Sequence, residues 1–230
     1  PSPYESLNLG AYVGDDPTNV ATNRLRILRA LDLDENARLR LNSAAQVHGV
    51  ALQTALDYAF EFSETDALMT DRAAIPLLLC FADCVPIIVV DPLRHAIAVI
   101  HSGWRGALRK IAALSIAEMQ KTYGSDPAEL FAYIGPFIGP QNFEVAAEVA
   151  SQFLEIFDTI SNGDRYTEST GSITIDLGMV VEETLVEMGV RACNIYNMHI
   201  DTVTHTGDFF SYRAEDQVTG RFGALGCICS

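Results

Sequence analysis

No run of apolar residues in this 230-residue chain approaches the ~20 needed to cross a bilayer, and the amino-terminal stretch has no basic-then-apolar signal pattern. No long basic run offsets the formal net charge of −15, which argues against nucleic acid as a partner. Cysteine is scarce. Five residues, an odd number with no spaced framework, fit a reducing cytoplasm and not a disulfide-stapled secreted fold. Cys80-x-x-x-Cys84 and Cys227-x-Cys229 lack zinc-knuckle spacing, and Cys80, Cys193, Cys227 and Cys229 read as packing residues. Neither a repeat nor a low-complexity linker divides the chain. With 49% hydrophobic residues it can bury one sizeable core, so a single domain over residues 1–230 is expected. The chain opens on Pro1 and not on methionine, and the expectation is that an N-terminal segment is missing or processed.

What is present is organised around residues 75–106, IPLLLCFADCVPIIVVDPLRHAIAVIHSGWRG. The runs 85–90 and 96–100 are apolar and rich in β-branched residues. The DPLRH between them has turn chemistry, with Asp91 capping and Pro92 pre-setting φ. Two buried strands joined in this way predict a β-hairpin. With the turn centred on the Pro92–Leu93 bond, Cys84 and His101 are equidistant from it, so a thiol and an imidazole share the open end of the hairpin. Residues 102–106 then read as a glycine-punctuated loop that opens a helix. Its apolar face is Leu108, Ile111, Ala112, Leu114 or Ser115, and Met119. Free backbone N–H groups at a helix start, with the two-pronged donor Arg105 beside them, suit an anion. On residue types alone a core cysteine, a satisfied histidine and a capping loop account for the stretch equally well.

Along the rest of the chain, residues 7–13 read as a short strand. Asp15-Asp16-Pro17 opens a helix that ends near Asp34 and carries Asn23 and Arg24 on a solvated face. Residues 39–41 and 46–52 read as strands, with 60–63 and 67–70 as weaker ones. Beyond the central helix come a strand at 130–134, the rigid loop GPFIGP at 135–140, a helix at 144–157 and a polar loop at 161–171. A strand at 172–175 leads into a helix opened by Asp176 and closed by Gly189. Strands at 193–198 and 208–213 and a last apolar run at 222–229 complete the reading. Strands outnumber helices and include hairpins, so the class is α+β and not doubly wound.

Six stretches together resemble the YfiH-type family, also called the laccase-domain or multicopper polyphenol oxidoreductase family. They are YESLNLG with GDDP at 4–17, QVHG at 46–49, ADC at 82–84, HSGWRG at 101–106, IGPFIGPQNFEV at 134–145, and FFSYR with TGR at 209–221. They stand in the family's order and cover almost the whole chain. The Arg-Gly-Gly segment that precedes the first motif in the family is absent. Relatives often have a second basic residue after SYR, where this chain has Ala214. Many have Cys-Thr upstream of FFSYR, where this chain has Met198-His199.

The resemblance implies a four-layer α/β/β/α sandwich with mixed sheets and three metal ligands, His48, Cys84 and His101, which are also the implied catalytic groups. Two imidazoles and a thiolate suit Zn2+, and three protein ligands leave a fourth position for water. Copper is disfavoured, because the chain has five histidines and His95 falls in a turn. The implied function is a zinc-dependent purine nucleoside phosphorylase acting on adenosine, inosine, guanosine or methylthioadenosine, with adenosine deamination by a zinc-activated water. The Arg105 loop would supply the phosphate site, Phe209, Phe210 or Tyr212 would stack the purine, and Arg213 would hold phosphate or a carboxylate; strand packing for the aromatics and a surface charge for Arg213 account for these residue types equally well. The alternatives are a metal-independent cysteine hydrolase or deamidase, or an editing hydrolase of cell-wall precursors, with Cys84 as nucleophile and His101 as base. A copper polyphenol oxidase stands behind these. The expected partners are a small nucleoside and phosphate, with no nucleic acid or membrane, and the chain is expected to be a monomer or weak homo-oligomer.

Overall fold

The structure is a computed structural model and describes residues 3–33, 35–157, 166–169 and 172–229. The first helix, α1 (Pro17–Ala30), starts where Asp16 accepts from the Thr18 N–H and proline occupies the first turn. Three short strands follow, β1 (Asn42–Ala44), β2 (Leu52–Thr54) and β3 (Phe60–Phe62), then β4 (Ala67–Thr70), β5 (Leu77–Phe81), β6 (Val85–Asp91) and β7 (Ala96–Ser102). Next come α2 (Trp104–Leu108), α3 (Ile111–Tyr123), β8 (Phe131–Ile134), β9 (Glu144–Val145) and α4 (Ala147–Ile156). The chain finishes with β10 (Tyr166–Ser169), β11 (Ser172–Ile175), α5 (Leu177–Glu187), β12 (Ile195–Asn197) and β13 (Phe222–Gly226).

The strands form a six-stranded sheet in the order β12-β8-β6-β7-β4-β2 and a four-stranded sheet in the order β13-β5-β1-β3. A small third sheet has the order β10-β11-β9. Both larger sheets are mixed: β1 runs parallel to β3 and β5 while β13 runs antiparallel to β5, and β12 runs parallel to β8 while β6 runs antiparallel to it. The central hairpin shows why they stack. In β7, Ala96, Ala98 and Ile100 join the core beneath α2, α3 and α5, whereas Ile97 and Val99 meet Leu77, Leu79 and Phe81 of the facing sheet. A strand apolar on both faces has to be covered on both. On the far side, Leu78 and Leu41 pack against Leu28 of α1. The order of layers is therefore α1, four-stranded sheet, six-stranded sheet, then the remaining helices, an α+β four-layer α/β/β/α sandwich.

Several local expectations change. The hairpin turn holds four residues, because Asp91 pairs with Ala96 and its Oδ1 accepts from the N–H groups of Leu93 and Arg94, each at 2.9 Å. The centre moves one residue along, so His101 pairs with Pro86 and Cys84 lies just ahead of the first pair, Val85–Ser102. The two side chains still share the inter-sheet face. Residues 102–106 are not a loop: Ser102 ends β7, Gly103 caps α2, and Lys110 at φ 54° separates α2 from α3. Ser115, not Leu114, takes the inward position on α3.

Residues 7–13 form turns, held by the Asn8 side chain and not by a ladder. Helix α1 stops at Ala30. Residues 35–39 are a 3-10 turn, and 46–51 are an irregular loop leading to β2. The 144–157 segment divides into β9 and α4, and 192–194 are a 3-10 turn ahead of β12. Residues 208–213 are turns. Of the polar loop expected at 161–171, Tyr166–Ser169 is strand β10 and the remainder lies outside the described residues.

Candidate metal centre and active-site cavity

His48, Cys84 and His101 converge at the open end of the sandwich, with their ligand atoms all within 4.8 Å of one another. Each reaches that point by a different route. His101 is the sixth residue of β7 and is 3% exposed. Cys84 sits where the chain leaves β5 of one sheet for β6 of the other, and the left-handed Asp83 (φ 86°) makes that crossing. His48 lies in the β1–β2 loop, also left-handed at φ 59°, with its ring edge-on to His101 at 4.9 Å between centroids. Gly103 closes the remaining side so tightly that an added Cβ would come 2.7 Å from His48 Cδ2 and 3.1 Å from Cys84 Sγ.

Asp66, fully buried just ahead of β4, stands behind this group. Its Oδ1 meets His101 Nδ1 at 2.8 Å. Burial alone would raise its carboxyl, but His101 and the N–H groups of Gly49 and Val47 hold it below the usual carboxylate range. Burial also opposes ionisation of Cys84, yet the facing His101 and His48 imidazoles outweigh it and bring the thiol down to about 6. Burial likewise opposes the charge on His101. The Cys84 sulfur and the Asp66 carboxylate prevail and raise it to about 9. The donor set fits a metal ion: a readily ionised thiol, and an imidazole whose Nδ1 is engaged elsewhere so that Nε2 is left for coordination. The group opens onto a cavity of about 600 Å³, which leaves room for a further ligand. It is the sole group of three or more such side chains among the described residues.

Four arginines line the same cavity: Arg24, Arg105, Arg213 and Arg221. Among the described residues none of them makes an ion pair. Arg105 lies over the Trp104 ring, its guanidinium carbon 4.2 Å from the centroid. Arg213 donates to the carbonyls of Asn142 (2.8 Å) and Glu144 (3.2 Å), and its own N–H binds Asp83 Oδ2 at 2.7 Å. Arg221 donates to the carbonyls of Thr219 and Gly220. Arg24 donates to the Leu9 carbonyl at 3.1 Å while its neighbour Asn23 is buried, so neither belongs to a solvated face.

Tyr212 lines the cavity, but Phe210 does not. Phe210 is 8% exposed and its ring presses on Gly220, where an added Cβ would lie 2.6 Å away. The turns over 208–213 remove the alternation that a strand would have imposed, and they send this ring inward. Phe209 packs edge-on against Phe222, away from the cavity. His199 and His205 are exposed in loops outside it. Cys193 and Cys229 are exposed, so they are not packing residues, and Cys80 lines the cavity.

Sequence reasoning missed Asp66, Arg24 and Arg221. The one available signal for Asp66 was a carboxylate placed directly before a strand that is apolar on both faces.

The model of the family described as "Multi-copper polyphenol oxidoreductase laccase" matches residues 1–229. The chain is 33% identical to "Purine nucleoside phosphorylase YlmD" of Geobacillus stearothermophilus, over 97% of this chain and 84% of that protein. It is 30% identical to "Purine nucleoside phosphorylase YfiH" of Escherichia coli, over 97% of this chain and 86% of that protein. Among solved structures, YlmD from Geobacillus stearothermophilus superposes with a TM-score of 0.92 at 30% identity, covering 100% of this chain and 87% of that one.

Proposed function

Because the chain belongs to the multi-copper polyphenol oxidoreductase laccase family, whose similar members carry the name purine nucleoside phosphorylase, we propose that it cleaves purine nucleosides with phosphate at a His48–Cys84–His101 zinc site. The observation that carries this reading is the cavity itself. Three metal-competent side chains and four arginines without carboxylate partners meet in one space, in a chain of net charge −15. Glu61 and Asp83 line the same cavity, so the four guanidinium groups leave it with an excess of positive charge, which in so acidic a protein calls for an anionic ligand.

In phosphorolysis a phosphate oxygen bonds to C1′ of the ribose as the C1′–N bond breaks, and the base leaves with the electron pair and takes up a proton. A zinc ion, when bound, supplies Lewis acidity beside the reacting centre. Arg105 binds and orients the phosphate, because its guanidinium faces the cavity and stacks on Trp104 without a competing carboxylate. Tyr212 offers a ring for the purine. Arg213 braces the loop that carries Tyr212 while its charge faces the cavity. Adenosine deamination belongs to the same proposal; it uses water and no phosphate, so Arg105 separates the two activities.

A multicopper centre needs more ligands than this group offers, since His95, His199 and His205 lie outside the cavity. A second reading has a specific observation in its favour. Cys84, His101 and Asp66 line up as nucleophile, base and orienting carboxylate, the arrangement of a cysteine hydrolase that needs no metal.

One experiment addresses both. Metal content is measured on the purified protein, which is then offered adenosine, inosine and methylthioadenosine with and without phosphate, and the products are separated by chromatography. Phosphate-dependent release of base, lost together with zinc in His48→Ala, is the expected result. Hydrolysis that persists in metal-free His48→Ala would establish the cysteine reading instead.

A further inference from the structure

The His48 loop and His101 come from different strands, yet one side chain touches both. Asp66 Oδ1 accepts from His101 Nδ1 (2.8 Å) and from the His48 N–H (3.0 Å). Its Oδ2 accepts from the Gly49 N–H (2.7 Å) and the Val47 N–H (3.3 Å). The main chain of the same residue continues the pattern, with the Asp66 carbonyl accepting from the His101 N–H at 2.7 Å and the Asp66 N–H donating to the Ala51 carbonyl at 2.9 Å.

The carboxylate is fully buried. Four donors converge on its two oxygens, which is the full acceptor capacity of an ionised carboxyl group. Three of those donors are successive N–H groups wrapped around it, a backbone nest of the kind that holds anions. The wrapping requires His48 at φ 59°, a left-handed conformation that is strained for a side chain with a Cβ and persists only when its surroundings impose it.

We propose that Asp66 is the positioning residue of this centre: one carboxylate fixes the ring tautomer of His101 and the backbone of His48, so that both imidazoles are aimed before any ion arrives. This rests on the reading of His48, Cys84 and His101 as metal ligands. No neutral side chain can substitute. A carboxamide of the same shape has one oxygen and one NH2, so in Asp66→Asn at least one pair of the four donors faces another donor. Either the nest opens and His48 leaves its left-handed conformation, or His101 loses the partner of its Nδ1–H.

The test uses the full-length chain and two readouts other than turnover. Wild type and D66N are stripped of metal, and Zn2+ affinity is measured by chelator competition, with Co2+ absorption reporting ligand geometry. A loss of roughly 10–100-fold in affinity, with an altered Co2+ spectrum at saturation, is the expected result for a partner that orients a ligand. Unchanged affinity and spectrum in a folded D66N would overturn the proposal.

The second readout needs only wild type, so it stands even if D66N does not fold. Nitrogen-15 imidazole shifts of the metal-loaded protein must show His101 protonated at Nδ1 and ligating through Nε2. Ligation through Nδ1, or a proton on Nε2, would also overturn it. If wild type takes up neither Zn2+ nor Co2+, the reading of the site as a metal centre fails. The shifts of the metal-free protein, taken at a pH where His101 is neutral, then still decide the role of Asp66, because its bond to Nδ1 holds the one remaining ring proton on that nitrogen.

Discussion

Cys84 concentrates the chemistry in one sulfur, so its removal separates few possibilities and settles several. In Cys84→Ala, tight zinc binding and phosphate-dependent turnover are expected to disappear together, as metal analysis and product chromatography on the same preparation would show. In metal-free wild type the thiol titrates at about 6. Alkylation by iodoacetamide should therefore run at full rate above that pH and fall as the solution is acidified through it. His101→Ala removes the nearest positive charge and should move the midpoint upward. Arg105→Ala is expected to raise KM for phosphate about tenfold or more, the loss of a charge-assisted hydrogen bond of ~1.5–3 kcal/mol, while adenosine deamination and the melting temperature hold. Equal loss of both activities would remove Arg105 from the phosphate site. At this scale the sequence was partly legible. The hairpin placed Cys84 near His101, because strand pairing is a local rule. His48 emerged only through the family resemblance, and Asp66 not at all: its partner lies 35 residues away, and its place directly before a buried strand does not by itself distinguish it from a capping aspartate.

Two glycines mark the difference between an element's stability and its service to the site. Gly124 ends α3 in the left-handed conformation, φ 68°, and an added Cβ there meets nothing within 4 Å. Gly124→Ala should cost about 1 kcal/mol, lowering the melting temperature by ~2–4 °C and leaving turnover intact. Gly103 has an ordinary backbone, φ −74°, but its missing side chain makes room for His48 and Cys84. Gly103→Ala should therefore spare the melting temperature of the metal-free protein and abolish zinc uptake, as thermal scans and metal analysis would report. The same contrast explains which elements could be read in advance. Helices α3 and α5 and the β6–β7 hairpin follow from periodicity and capping. The segments 7–13 and 208–213 have apolar residues at strand-like spacing but scatter their backbone partners: the Gly10 N–H goes to Asn8 Oδ1, the Leu9 N–H to the Arg221 carbonyl, the Phe209 N–H to the His205 carbonyl and the Arg213 N–H to Asp83 Oδ2. Partners divided between side chains and non-ladder main chain leave no periodic trace.

For the molecule as a whole, the sequence showed that β6 and β7 are buried on both faces but not what buries them, and a second sheet and a helix layer satisfy the same pattern. The four-layer order came from the resemblance, and the packing of Ile97 and Val99 on Leu77, Leu79 and Phe81 supplies its physical reason. One feature of that order bears on folding. The crossing at Asp83 carries the chain from the four-stranded sheet to the six-stranded one, and the loop holding His48 leaves β1 of the first sheet for β2 of the second. An ion held by His48, Cys84 and His101 thus closes both crossings at once and acts as a clasp on the open end of the sandwich. Its binding energy is then drawn on whenever the sheets part. At a free concentration 100 times its dissociation constant it would add ~2.7 kcal/mol to the folded state, so chelation should lower the melting temperature by roughly 5–10 °C for a chain of this size. A scan that does not move on chelation would show that the two sheets hold together without the clasp.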